Sequence, residues 1–454
     1  MTTLYCARWV LPVVSAPLDD GAVAVEGSKI VGVGGRAELS EKFPGAARRD
    51  FDEAAIVPGF VNCHSHLELT ALRGYLEAEE PDFAAWLRKL TTARLERMTA
   101  DDLSVSAAWG ASEAARAGVT CVGDASDSAQ SSMAALRDVG LRATVFQEVF
   151  GPDARIAGEQ LEKLRERVAQ LRGGETNLVR VGVSPHAPYS VSAPLLQSTT
   201  LYALGEGLPL MMHAAESESE RLLLGEGRGP FAENLARRGV EWRAPRVSTV
   251  QYLDALGVLA ARPLLAHCIT VDDADIETLQ RTGASVAHCP KSNAKLGHGR
   301  APFAAFIRQG VSVGLGSDSV ASNNTCDLLE EARFATLLAR TMGGEQASEG
   351  RSVNATDALR TATLGGARAL GIETQTGALA AGLQADLAVV SLAGAHQQPV
   401  HDPAHALIFS SSARDVISTV VAGREIYRDG HVNTIDEPRL RARLTEIAEK
   451  FSKS

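Results

Sequence analysis

Two histidines one residue apart, His64 and His66, follow the apolar run Ile56-Val-Pro-Gly-Phe-Val-Asn62. Read as a strand, the run places residues two apart on one side, so both imidazoles aim together where the hydrophobic stretch stops. Imidazoles converging at a strand end suit a divalent transition metal. The pair is a weak signal alone, because eleven histidines in 454 residues give such spacings by accident. Partners come further along, each after a short apolar segment: Gln147-Glu148, His186 in Ser184-Pro-His-Ala-Pro-Tyr-Ser190, His213-Ala-Ala-Glu216, His267, His288 to Asn293, and Ser317-Asp318-Ser319. His64, His66, His213 and Asp318 supply three nitrogens and a carboxylate, the donors that Zn²⁺, or Fe²⁺ as the alternative, takes when a position stays open for water. A two-metal site of this type needs a bridging ligand, commonly a carboxylated lysine. No lysine lies near the third or fourth strand exits, so one divalent ion is expected.

Such side chains need a frame that delivers strand ends to one place. Between about residues 56 and 370, short apolar strands alternate with longer helical patterns, which is how a parallel α/β sheet is written. Eight strands are predicted, at 56–62, 119–123, 141–146, 178–183, 209–212, 263–266, 284–287 and 311–315. Eight strand-helix units imply a closed (β/α)8 TIM barrel with its site at the C-terminal strand ends. Short strands also fill residues 4–33, and the same texture returns at Gly377 to Val390, Val416 to Val421 and Ile426 to Tyr427. The economical reading is a small β-sandwich domain built from both chain ends; the other is two unrelated terminal decorations. The expected division is 1–55 and 373–435 for the β-domain, 56–372 for the barrel, and 436–454 for a polar surface helix.

A net charge of −10 argues against a surface that tracks nucleic-acid phosphates. No apolar run reaches membrane-spanning length and no N-terminal stretch reads as a signal peptide, so a soluble cytoplasmic protein is expected. The six cysteines are scattered without a Cys-x-x-Cys pair, which points to core residues rather than a disulfide framework.

Taken together, His64-x-His66 after Pro58-Gly59, His213-x-x-Glu216, His267, Ser317-Asp318 before Ser322-Asn-Asn324, and Gly377-x-Leu-x-x-Gly-x-x-Ala-Asp386-Leu resemble the amidohydrolase superfamily. Within it the likeness is to the mononuclear deaminases and chlorohydrolases, which include the S-adenosylhomocysteine/methylthioadenosine deaminases, the aminodeoxyfutalosine deaminases and the triazine hydrolases. The resemblance implies that Asp318 and His267 take the proton of a metal-activated water. It implies that Glu216 carries a proton to a ring nitrogen and then to departing ammonia. Glu216 also discriminates, because some dehalogenating relatives replace this glutamate; a halide leaving group needs no proton. Homodimers are common in such families.

Substrate contacts follow from the same likeness. His186 matches a histidine that contacts the purine in adenosine-type deaminases. The segment 82–90 reads as a short amphipathic helix carrying Trp86. In relatives acting on adenosyl thioethers an acid just before this tryptophan holds the ribose hydroxyls, and here that position is Ala85. Glu68 and Glu148 are the candidates to compensate. With the stretch His64 to Thr70, they make the chain look closest to aminodeoxyfutalosine deaminases of the bacterial menaquinone route. Arg73, Arg88 or an arginine from 221–247 is then expected to meet a substrate carboxylate. His298, His396, His401, His405 and His431 read as structural or exposed. The expected function is deamination of an aminated purine nucleoside; the alternatives are hydrolysis of another C–N or C–Cl bond, as in a triazine-type chlorohydrolase, and a non-enzymatic scaffold.

Overall fold

Eight parallel strands surround one axis: Phe60–Ser65, Val119–Ser126, Arg142–Val149, Val179–Pro185, Met211–Ala214, Leu264–His267, Ser285–His288 and Ser312–Leu315. The computed structural model describes residues 1–341 and 352–452. The strands form two four-stranded parallel sheets. Parallel bridges join the sheets at both seams, Val183 to Leu210 and Ser65 to Asp318. The second seam is closed by Asp318 N–H donating to the His64 carbonyl at 2.9 Å, so the ring of strands meets at two metal-site candidates.

Alternation along the strands sorts their side chains. Val122, Val145, Val181 and Val286 face the enclosing helices in the largest apolar core, whereas Val61, Cys63, Cys121, Phe146, Met211, Ala266 and Ala287 fill the barrel interior. Both faces of a barrel strand are covered, so strands of this kind read as unbroken apolar runs rather than alternating ones.

That lack of alternation hid one boundary. Residues 56–62 read as a single strand, but Ala54–Pro58 and Phe60–Ser65 are separate strands in different sheets. Gly59 parts them: its N–H donates to the Asp386 carbonyl at 3.0 Å, and a Cβ there would lie 2.1 Å from the Thr120 side chain. Only a residue without a side chain lets the chain leave one sheet and enter the other at this contact.

Ala54–Pro58 is also where the two chain ends meet. It pairs parallel with Thr2–Val10 and antiparallel with Leu387–Ser391, inside a nine-stranded sheet drawn from residues 2–58 and 387–432. A buried ion pair fastens this sheet to the barrel: Arg142 donates through Nε to Asp386 Oδ2 at 2.8 Å, with the two side chains 5% and 0% exposed. The final helix, Glu437–Ser452, is not wholly superficial as its polar sequence suggested. It buries Ile447 and Phe451, and Lys450 donates to Asp102 on the helix Ala100–Arg116. Among the described residues, no helix is long and apolar enough to cross a membrane.

Candidate metal centre and active site

At three strand exits the backbone turns sharply into the site. Ala215, His267 and Asp318 have φ of 52°, 76° and 56°, a left-handed conformation costly for residues other than glycine and found where a site over-determines the chain. At the fifth exit the turn is clamped by Glu220, whose carboxylate accepts from the N–H groups of Ala215 and Glu216 at 2.9 and 3.0 Å and from Thr249 Oγ1 at 2.9 Å. The acidic run 216–220 therefore splits. Glu218 faces outward and pairs with Arg221, while Glu216 and Glu220 are buried.

The four residues read as ligands lie together. His66 Nε2 is 3.2 Å from His213 Nε2, and Asp318 Oδ1 is 3.4 Å from His64 Nε2 and 3.5 Å from His66 Nε2. Tetrahedral zinc with bonds of about 2.0–2.1 Å separates its donors by roughly 3.3–3.4 Å, so the spacing fits a single small cation. The chemistry of the donors fits too. Burial, reinforced by the neighbouring imidazoles, pushes His213 well below its ordinary pKa. Burial lowers His66 and brings His64 down to about 4. Neutral imidazoles offer lone pairs, and the His64 Nε2 is buried without a hydrogen-bond partner. Burial alone would raise the Asp318 carboxyl, but the adjoining His64 imidazole, with those of His267 and His66, holds it well below the carboxylate range. Its other oxygen accepts from Ser292 Oγ at 2.5 Å and Ser322 Oγ at 3.0 Å. His213 Nδ1 donates to the His186 carbonyl at 2.9 Å, which turns its Nε2 inward.

Beside these donors lies a proton-handling pair. His267 Nε2 is 3.7 Å from Glu216 Oε1, and His267 Nδ1 is held by Asn293 Oδ1 at 2.8 Å. Burial raises the Glu216 carboxyl to about 7 against the opposing pull of His267, and the nearby Asp318 and Glu220 add to the rise. Tyr189 donates its hydroxyl to Glu216 Oε2 at 3.3 Å. A carboxyl that titrates near neutrality is suited to taking up and releasing a proton within one cycle.

Above the donors opens a cavity of about 970 Å³, at the upper end of the roughly 300–1,000 Å³ usual for small-molecule sites. His186, Trp86, Glu68 and Glu148 line it. His186 Nδ1 is engaged with Ser190 Oγ at 2.7 Å. Trp86 Nε1 and Glu148 Oε1 are buried without partners, and burial, with the charges of Glu68 and Asp127, raises the Glu148 carboxyl well above its ordinary value. Glu68 is different: both oxygens are committed, one to Arg94 Nε at 2.9 Å and the other to Ser126 Oγ and Ser128 N at 2.8 Å. It holds Arg94 at the wall rather than presenting a free carboxylate. Arg73 is a correction. It does not line the cavity; it sits at the outer edge in an ion pair with Glu113, because the turn after the first barrel exit carries it away from the opening.

Sequence reasoning also missed residues. His298, read as structural or exposed, is 5% exposed at its side chain and directs Nε2 toward Glu216 Oε1 at 3.8 Å. Asn293, Ser292 and Tyr189 have no role assigned from the sequence. The one sequence signal for them was their place in the loops after the fourth and seventh strands, where side chains reach the same rim.

The chain belongs to the amidohydrolase family, whose model matches residues 55–426; a bacterial imidazolonepropionase-like composite domain matches residues 21–46. It is a hydrolase of that family acting on C–N bonds. Two relatives are the 5-methylthioadenosine/S-adenosylhomocysteine deaminases of Pelotomaculum thermopropionicum, 32% identical with 94% of this chain and 93% of the relative covered, and of Symbiobacterium thermophilum, 33% identical with 95% and 94% covered. Among solved structures, a zinc-bound adenosine deaminase from Xanthomonas campestris is 29% identical, with a TM-score of 0.87 over 100% of this chain and 99% of that one. A zinc complex of an atrazine chlorohydrolase from Arthrobacter aurescens, 23% identical with a TM-score of 0.85 over 98% of this chain and 100% of that one, shares the fold.

Proposed function

We propose that this protein is a hydrolytic deaminase that uses one zinc ion, held by His64, His66, His213 and Asp318, to release ammonia from an aminated purine nucleoside. The observation that carries the reading is Glu216, a buried carboxyl raised to about 7 and set beside His267 at the donor cluster. One ion suffices for a simple reason. Among the described residues a triplet apart from those sharing His64, namely Glu148, His186 and His213, also clusters, but His213 Nδ1 is occupied and its single remaining lone pair serves one ion.

When bound, the ion supplies a water acidified to near neutrality. His267 and Asp318 accept a proton from the attacking water. Glu216, ionised at the outset, takes over that proton and delivers it to the purine nitrogen next to the aminated carbon, then carries the hydroxyl proton of the adduct to the leaving amine as the C–N bond breaks and the carbonyl forms, while Tyr189 fixes one of its oxygens. His186 and Trp86 line the base and ribose region, and Glu148, kept protonated, donates to a substrate acceptor.

Within that class we take aminodeoxyfutalosine as substrate, with adenosyl thioethers next. The support is the size of the cavity and its lining, which includes Arg88, Arg237 and Arg238; these form no side-chain ion pair among the described residues, as a carboxylate-bearing tail requires. The deaminase names of the relatives favour the same class. The test is ammonia release by the zinc-loaded enzyme from aminodeoxyfutalosine, S-adenosylhomocysteine, methylthioadenosine, adenosine and guanine, with chloride release from a chlorotriazine in parallel. The expected order puts aminodeoxyfutalosine first by at least about tenfold in kcat/KM, a gap of about 1.4 kcal/mol in transition-state binding. Faster turnover of adenosine or S-adenosylhomocysteine would sink the substrate, and chloride without ammonia would sink the reaction.

A further inference from the structure

Glu216 Oε1 has two imidazoles facing it, and the reaction described above uses only one. His298 Nε2 lies 3.8 Å away, nearly as close as His267 Nε2 at 3.7 Å, and both nitrogens are buried without hydrogen-bond partners. The two rings share one anchor. Asn293 takes His267 Nδ1 on its side-chain oxygen at 2.8 Å and the His298 N–H on its backbone oxygen at 2.9 Å. Gly297 and Gly299 flank His298 with φ of 68° and 103°, so the chain reverses on either side of it and turns the imidazole inward. On its outer side the ring meets Phe83 edge to face, centroids 4.3 Å apart at 81°. Phe83 begins the helix Phe83–Thr92 that walls the cavity.

A buried ring nitrogen without a partner is costly, and it persists where a neighbour completes the bond in a working state. The neighbour within reach is the Glu216 carboxyl. Burial keeps His298 neutral, with its pKa down to about 4. A neutral imidazole can present N–H to a carboxylate, or in its other tautomer a lone pair to a carboxylic acid, so it can serve both states of a proton carrier.

We propose that His298 is a positioning residue for Glu216, closing on Oε1 opposite the Tyr189 contact to Oε2, so that the carboxyl keeps one orientation as it gains and loses its proton. The proposal rests on Glu216 being the proton carrier. It also links the cavity wall to the chemistry, since Phe83 sets where the imidazole stands.

The test pairs His298→Phe, which keeps a ring against Phe83 but removes the nitrogens, with His298→Gln, which restores a donor and acceptor at similar reach. In the zinc-loaded enzyme His298→Phe is expected to lower kcat about 10- to 100-fold, the range for losing a group that orients a reacting one, with KM and zinc content nearly unchanged. His298→Gln should recover much of that loss. A His298→Phe kcat within about twofold of wild type, or a His298→Gln no better than His298→Phe, overturns the proposal. A second measurement needs no turnover: in 15N-histidine-labelled zinc enzyme, Glu216→Gln should shift the His298 Nε2 resonance. An unmoved resonance overturns the contact even if the substrate class is wrong, and a moved one supports it if no purine is deaminated.

Discussion

At the scale of single residues, Glu216 ties burial to chemistry. Its carboxyl titrates near 7 because burial disfavours the anion, and a dication beside Asp318 would draw that value down. The carrier must begin ionised to accept a proton, so activity is expected to fall with acidification. In the zinc enzyme kcat/KM should lose about tenfold per pH unit below an apparent pKa at or under about 7 and level off above it. Glu216→Gln should cost about 10²- to 10⁴-fold in kcat and remove the acid limb from what activity remains; an unchanged limb would assign the proton transfer elsewhere. His64, His66, His213 and Asp318 were legible as a set because each terminates an apolar run, and strand ends share a rim. Arg73 and His298 were not legible for the opposite reason. Each lies several residues beyond a strand end, where loop geometry decides direction: Arg73 turns outward to Glu113 and His298 turns inward between two glycines.

At the scale of elements, the eighth barrel strand carries the tightest constraint. Gly316 follows Ser312–Leu315 and passes so close to the first strand that a Cβ would stand 2.9 Å from both Cys289 Sγ and His64 Cβ, and 3.0 Å from the His64 carbonyl oxygen. Backbone and a ligand's Cβ cannot give way without moving the ligand. Gly316→Ala is therefore expected to lower zinc content at a fixed free-zinc concentration, about 10-fold or more in affinity by comparison with other disturbances around metal ligands. Elemental analysis and zinc titration with a chromophoric chelator check it, and full occupancy with wild-type affinity would refute it. The barrel strands themselves could be counted from sequence, because each is an apolar run between helical patterns. Where two buried strands abut at Gly59 the count merged them, since a run covered on both faces carries no periodicity to mark its end.

For the whole molecule, the Arg142–Asp386 pair joins the barrel to the sheet made by the chain ends. Asp386 also accepts from the Ala422 N–H at 2.6 Å, so its carboxylate organises three segments at once. Removing one partner leaves an unpaired charge in the interior. Asp386→Ala or Arg142→Ala should destabilise by about 3–5 kcal/mol, whereas the double replacement Arg142→Met with Asp386→Leu should cost less than either single change. Urea unfolding of the four proteins decides it, and additive losses would contradict the account. The return of β texture near residue 377 signalled a shared terminal sheet, but the strand that joins the ends, Ala54–Pro58, straddles the boundary drawn at residue 56, its second half merged into the run assigned to the barrel.

The two seams of the barrel carry one more implication. His64 and His66 leave one four-stranded sheet, while His213 and Asp318 leave the other, so neither half owns enough donors to keep a cation alone. A dication coordinated by all four would act as a suture across the molecule. Its escape would then report the parting of the halves, and slow release on chelation would be a clock for how seldom the ring breathes open.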